Sequence, residues 1–239
     1  MNSIGKIYKA INICHAFMNR GFARRSFFAG WLIPCGFAPF HMPGLAIIGM
    51  AMLFTQLRQT SLKQSFLTGF GFGFGLFSFG VSWIYVSIHN YGHLNAPISA
   101  CITGVFIAFL ALYPAVVTML YQRLTTQRSR LSNGLLFSAL WCLGEYLRST
   151  VFSGFPWLLL GTSQMDTPLQ YLLPIVGVFG VGFIACFAAT TLAMGMQSIR
   201  AKRNPWMMVC MLILLTPLAL KNHAWTTTDT TPLSVGIIQ

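Results

Sequence analysis

Apolar runs long enough to be solvated by lipid alternate along this chain with short basic segments, and that pattern predicts helices rather than strands. The first run, residues 26–57, is broken by Ala38-Pro39-Phe40-His41-Met42-Pro43-Gly44. Each half is short for a hydrocarbon layer of about 30 Å, so the run reads as a tight helical hairpin. Further runs at 64–88, 95–121, 131–150 and 168–197, with a shorter one at 205–220, bring the expected total to about seven transmembrane helices. Ahead of them, residues 1–25 carry Lys6, Lys9, Arg20, Arg24 and Arg25 without an acid, while Ile4, Ile7, Tyr8, Ile11, Cys14 and Met18 recur at helical spacing. That segment is expected to be an amphipathic helix on the cytoplasmic face. Residues 26–220 form the membrane domain. In 221–239 a Thr-rich linker leads to Leu233-Ser234-Val235-Gly236-Ile237-Ile238-Gln239, which reads as the first β-strand of an extracytoplasmic domain.

Composition narrows the class. With 55% hydrophobic and 8% charged residues and a mean hydropathy of +0.67, the chain holds more apolar surface than one soluble core can bury. A net charge of +12 in a soluble domain would suggest nucleic acid, but here the basic residues sit in clusters between apolar runs, where they set topology, so no nucleic acid partner is expected. The clusters at 6–25, 58–63, 123–130 and 200–203 hold 13 of the 15 Lys and Arg, leaving Arg148 and Lys221 on the other side. The positive-inside rule then predicts a multi-pass protein with a cytoplasmic N-terminus and an extracytoplasmic Gln239.

Candidate chemistry is sparse. The six cysteines occur singly, five of them inside apolar runs, where Cys packs as a small hydrophobe. His89 and His93 are four residues apart, but Asn90 and Gly92 argue for a turn and no third ligand is apparent, so neither metal nor cofactor is expected. Gly69 and Gly73 form a small-xxx-small face for close helix packing. Pro114 and Pro217 are expected to kink their helices.

Residues Trp141 to Asp166 stand out, holding two of the chain's three acids. One helical turn separates Glu145 from Arg148, and we read them as a structural polar pair, a proton-handling acid being the alternative. Beyond them Ser153-Gly154-Phe155-Pro156-Trp157 mixes turn formers with large aromatics, as a loop dipping into the membrane interface would. Tyr85 lies in a second aromatic segment, Trp83 to His93. For Tyr85 and Trp157 the residue types allow either interfacial anchoring or substrate contact.

Several blocks resemble the apolipoprotein N-acyltransferases of bacterial inner membranes. They are Ala38-Pro39-Phe40, Gly80 through His89, Gly144-Glu145-Tyr146-Leu147-Arg148, Gly154-Phe155-Pro156-Trp157, Ser163 through Leu169, Val178-Phe179-Gly180-Val181 and Ser234 through Gln239, in the family's order. The resemblance implies transfer of an acyl chain from a phospholipid to the N-terminal amine of a diacylated lipoprotein, at the bacterial inner membrane with a periplasmic C-terminus. It also implies that a Glu-Lys-Cys set in an α/β nitrilase-like domain does the chemistry through a thioester. Those three residues are expected beyond the last strand of this sequence, so no catalytic residue is assigned here and residues 1–239 alone are expected to be inactive. A separately encoded nitrilase-like domain is then an expected partner. Phe155, Pro156, Trp157 and Tyr85 are the residues expected to meet lipid. A small transporter or a non-catalytic scaffold is the competing class. Transport fits poorly, because Glu145 is almost the sole ionisable group within the apolar runs.

Overall fold

In the computed structural model the described residues are 24–58, 60–125, 129–198, 204–226 and 236, and no strand occurs among them. The expected amphipathic segment and the expected C-terminal strand therefore fall almost entirely outside the described residues. Helix α1 (24–31) and helix α2 (Pro43–Gln56) form the expected hairpin, joined by a short 3-10 turn at Pro34–Gly36. Then come α3 (Leu62–Gly80), α4 (Trp83–Val86) continued by one π turn, α5 (Ala96–Leu124), α6 (Arg130–Thr150), α7 (Leu173–Gln197) and α8 (Pro205–Leu215).

The helices close into a ring. α3 lies on α5, α5 on α6, α6 on α7 and α7 on α2, while α8 lies against α7. α1 completes the circle: a Cβ on its Gly30 would sit 2.0 Å from the Phe72 carbonyl oxygen, and one on Gly49 of α2 would sit 2.6 Å from the Ala29 carbonyl oxygen. The centre is aromatic. Phe54, Tyr121 and Phe137 touch one another at ring distances of 5.3 to 5.9 Å, and Phe72 meets Trp141 edge-on at 5.8 Å. Outward faces stay apolar, with Val105, Leu143, Met208 and Leu212 exposed. A chain that turns apolar side chains outward and keeps Thr68, Thr118, Glu145 and Arg148 inside is built for a lipid environment.

Three expected spans differ in shape. The run 64–88 is not one helix, because α3 stops at Gly80 and the segment Trp83–Tyr91 turns away by 51°. At the break Gly80 makes room for Leu158, whose side chain a Cβ there would meet at 2.2 Å. The run 168–197 begins as a 3-10 helix, Pro168–Leu172, and α7 is interrupted at Gly177 with φ 65°. The run 205–220 is α8 followed by the 3-10 helix Thr216–Leu220.

By length and composition, two helical stretches among the described residues can cross a membrane, Ala96–Leu124 and Pro168–Gln197, or three if the bent pair counts as one. The expected count of seven is larger than this. α2 is short at 14 residues. α6 has 21 residues, long enough, but Arg130, Asn133, Glu145 and Arg148 dilute its hydropathy.

Gly69 and Gly73 seat α3 on α5, as the spacing predicts. A Cβ on Gly69 would lie 2.1 Å from the Thr118 hydroxyl oxygen, and one on Gly73 would lie 2.8 Å from the Ala111 Cα. Across that seam the Thr118 hydroxyl donates to the Ser65 carbonyl at 2.8 Å. Gly69→Val is therefore expected to cost about 1–3 kcal/mol through overpacking. Thermal unfolding in detergent should show the loss, whereas Gly104→Ala, with nothing within 4 Å of its new methyl group, should leave the midpoint unchanged or slightly raised.

Candidate functional site

Between α6 and α7 the chain from Val151 to Thr167 folds back into the end of the bundle. Leu159, Leu160, Ser163 and Gln164 are buried there, so this is a plug rather than a surface loop. Its entry is tight: Phe152, Ser153, Gly154 and Leu158 all have positive φ, and a Cβ on Gly154 would sit 2.0 Å from the Ser149 carbonyl oxygen. Gly161 lets the plug touch α7, since a Cβ there would be 2.0 Å from the Val178 carbonyl oxygen.

Two buried side chains from the last turns of α6 hold this backbone. Arg148 Nη1 donates to the carbonyl oxygens of Phe155 and Trp157, both at 2.6 Å, and its guanidinium lies 5.3 Å from the centre of the Phe77 ring. The Phe155 N–H returns a bond to the Arg148 carbonyl at 2.7 Å. Glu145 Oε1 accepts the Leu160 N–H at 2.8 Å. No Glu145–Arg148 ion pair within 4.0 Å occurs among the described residues. The two side chains share a turn of α6, where their opposite charges attract, and each also hydrogen-bonds loop backbone. Backbone groups folded into a helix bundle need such partners where water cannot reach them.

The plug presents an aromatic row. Trp157 stacks on Phe155 at 5.3 Å, Phe155 meets Phe106 edge-on at 5.3 Å, and Trp157 tilts toward Trp83 at 6.3 Å. Pro156 and Trp157 line an open groove of about 1450 Å³, mouth included, whose other walls are the Gly36 to His41 turn, Gly80 and the segment from Thr162 to Asp166. At its rim His41 Nδ1 lies within hydrogen-bond distance of Asp166 Oδ2, at 2.7 Å, and both side chains are more than half exposed. A second groove, almost entirely apolar, runs between α5 and α6 past Phe109, Leu112, Leu143, Leu147 and Phe152.

Of the residues singled out in the sequence, Phe155, Pro156 and Trp157 share this end of the molecule with Glu145 and Arg148 beneath them. Phe155 faces the core, while Pro156 and Trp157 face the groove. Tyr85 does not line the groove; it stacks on His89 at 5.5 Å. His89 Nδ1 in turn bonds the Leu94 carbonyl at 2.7 Å, and no group of three or more His, Cys, Asp or Glu that could hold a metal occurs among the described residues. Sequence reasoning missed the His41–Asp166 contact, because 125 residues separate the partners and no spacing rule links them. It also missed Gln164, whose amide nitrogen contacts the Ser163 hydroxyl at 2.9 Å and the Pro43 carbonyl at 3.4 Å, joining the plug to the start of α2.

Comparison with known proteins gives a consistent result. The family model of the apolipoprotein N-acyltransferase N-terminal domain matches residues 29–191. The apolipoprotein N-acyltransferase of Pseudomonas syringae pv. tomato is 38% identical over 216 residues, which is 88% of this chain and 42% of that protein. The Pseudomonas putida protein of the same name is 39% identical, covering 84% of this chain and 41% of the relative. The one from Coxiella burnetii is 32% identical, covering 88% and 44%. The chain thus spans about 42% of the length of the first of these relatives.

If Arg148 holds the plug, Arg148→Ala should leave two part-buried carbonyls without their donor, at up to about 1–3 kcal/mol each. Amide hydrogen exchange across residues 155–160 is then expected to speed up about ten-fold or more. Glu145→Gln, whose amide oxygen still accepts the Leu160 N–H, should change it far less.

Proposed function

The chain belongs to the apolipoprotein N-acyltransferase family, and we propose that its 239 residues form the lipid-handling membrane part of such an enzyme. On this reading the whole protein moves an acyl chain from a phospholipid to the N-terminal amine of a diacylated lipoprotein, in the bacterial inner membrane. The acyl-enzyme chemistry belongs to a Glu-Lys-Cys set in a nitrilase-like domain, supplied on the same or on a separate polypeptide. Three of the five described cysteines are poorly placed for that role: Cys186 and Cys210 are buried, and Cys142 donates its thiol to the Phe179 carbonyl.

The observation that carries the proposal is the placement of Pro156 and Trp157 in an open groove beside the apolar outer surface, on a loop fixed from below by Arg148. A lipid diffusing along the exposed faces of α5 and α6 reaches Phe152 and then this rim. Trp157, 52% exposed and stacked on Phe155, gives a flat, rigid surface for an acyl chain or its ester region.

We read the topology as about seven crossings, with the N-terminus in the cytoplasm and Gln239 in the periplasm. Supporting this, the connections segregate by end. Arg58 bonds Gln197, Arg130 lies 3.5 Å from Ser198, and Thr60 lies 3.5 Å from Gln122 at one end. The His41 turn, Gly80 and the 156–166 segment gather at the other. Short α2 crosses by virtue of its neighbours, and α6 hides its charges against the plug.

Trp157→Ala is expected to slow lipoprotein acylation about ten-fold or more, through lost positioning, while membrane abundance falls less than two-fold. Lipoprotein N-termini analysed by mass spectrometry, in cells depleted of their own N-acyltransferase and supplied with the nitrilase-like domain of the Pseudomonas syringae relative, provide the readout. Equal losses in turnover and abundance would mean that Trp157 is an anchor.

A further inference from the structure

We propose that the groove between the His41 turn and the plug is a subsite for a primary ammonium group, with Asp166 as its counter-ion and Trp157 as the neighbouring aromatic face. The proposal rests on the function proposed above and names the part of the acceptor substrate that this end of the molecule recognises.

Acidic residues number three in a chain of net charge +12. Glu145 is buried and engaged by the Leu160 N–H, so among the described residues Asp166 is the sole exposed carboxylate. It lines the groove together with His41, Thr162 and Trp157. One carboxylate oxygen, Oδ2, contacts His41 Nδ1 at 2.7 Å. The other, Oδ1, has no hydrogen-bond partner among the described residues, so it can accept from a ligand. His41 reaches Asp166 from a turn in which it has φ 52°, a conformation uncommon for a residue with a side chain.

Trp157 supplies the second element. It stacks on Phe155 and tilts toward Trp83, is 52% exposed overall, and lines the groove. A cation beside an indole gains about 0.5–1 kcal/mol at an exposed site. An ion pair in such a place adds a similar amount. Neither suffices to capture a soluble amine. Both become effective for an amine whose attached acyl chains already hold it at the membrane surface, because local concentration replaces affinity. The geometry therefore selects an amphiphile with a free amino terminus over its N-acylated form. In an N-acyltransferase that distinction separates substrate from product.

The test uses residues 1–239 in phosphatidylcholine nanodiscs, with empty nanodiscs as the baseline. The probes are a synthetic diacylated lipopeptide with a free N-terminal amine and its N-acetylated twin. Wild type is expected to bind the free amine about five-fold more tightly, and Asp166→Asn to bring the ratio to about one. His41→Asn breaks the same contact yet keeps the carboxylate, so it should retain most of the preference; a folding defect from breaking that contact would appear in both variants. Equal binding of the two probes by wild type overturns the proposal, as does no saturable binding of either, or a preference lost as fully in His41→Asn as in Asp166→Asn. Because the readout is binding without turnover, a failure of the acyltransfer reading would show separately, as absent acylation alongside an intact amine preference.

Discussion

Arg148 is the constraint on which this end of the molecule depends. Its guanidinium is buried in a helix bundle made for lipid, and a charge in that setting persists only if its donors are used. They are used on the carbonyls of Phe155 and Trp157, which lie in a segment that cannot be helical, because Gly154 and Leu158 have positive φ and Pro156 lacks an N–H. Glu145 does the complementary task by accepting the Leu160 N–H. The helix thus carries its own capping groups for a foreign loop, and irregular backbone becomes tolerable inside the bundle. Removing either partner leaves the other group stranded, so loop and charges form one unit.

That unit has consequences for the surrounding helices. Leu158 packs where α3 ends at Gly80, and Gly161 presses on Val178 just beyond the break at Gly177. The kinks that distinguish α3 and α7 from straight spans lie where the plug touches them. With the plug seated, Trp157 is presented at a groove whose far wall is the His41 turn, and Gln164 reaches Pro43 at the start of α2. Three connections far apart in sequence thereby make one surface.

How much of this is legible in the sequence follows from the range of each interaction. Apolar runs and basic clusters are local signals, and they place the α1–α2 hairpin, α5, α6 and the region of α7 to within a few residues. The Gly69 and Gly73 face is likewise local, a four-residue spacing on one helix that finds α5. The Glu145 and Arg148 spacing correctly puts both on adjacent turns, but proximity on a helix suggests that they bind each other. Each also hydrogen-bonds loop backbone, and backbone partners carry no sequence signature. His41 and Asp166 illustrate the limit, being visible as residue types while their meeting depends on the whole ring of helices closing. The breaks at Gly80 and Gly177 were hidden for a related reason, since glycine in an apolar helix equally well marks close packing.

The family assignment explains why a domain so poor in polar residues keeps a few of them together at one end. Phe152 and Trp157 are exposed at this end, and Asp166 and Trp157 line the same groove. On the proposed topology the His41 turn and the plug face one compartment while the Arg58 and Arg130 connections face the other. Single cysteines at positions 41, 58, 130 and 166, in a chain with its own cysteines replaced, can be labelled in intact cells with a membrane-impermeant maleimide. Labelling at 41 and 166, with 58 and 130 protected until the membrane is permeabilised, is the expected result; labelling of 41 and 166 from opposite sides would contradict the account.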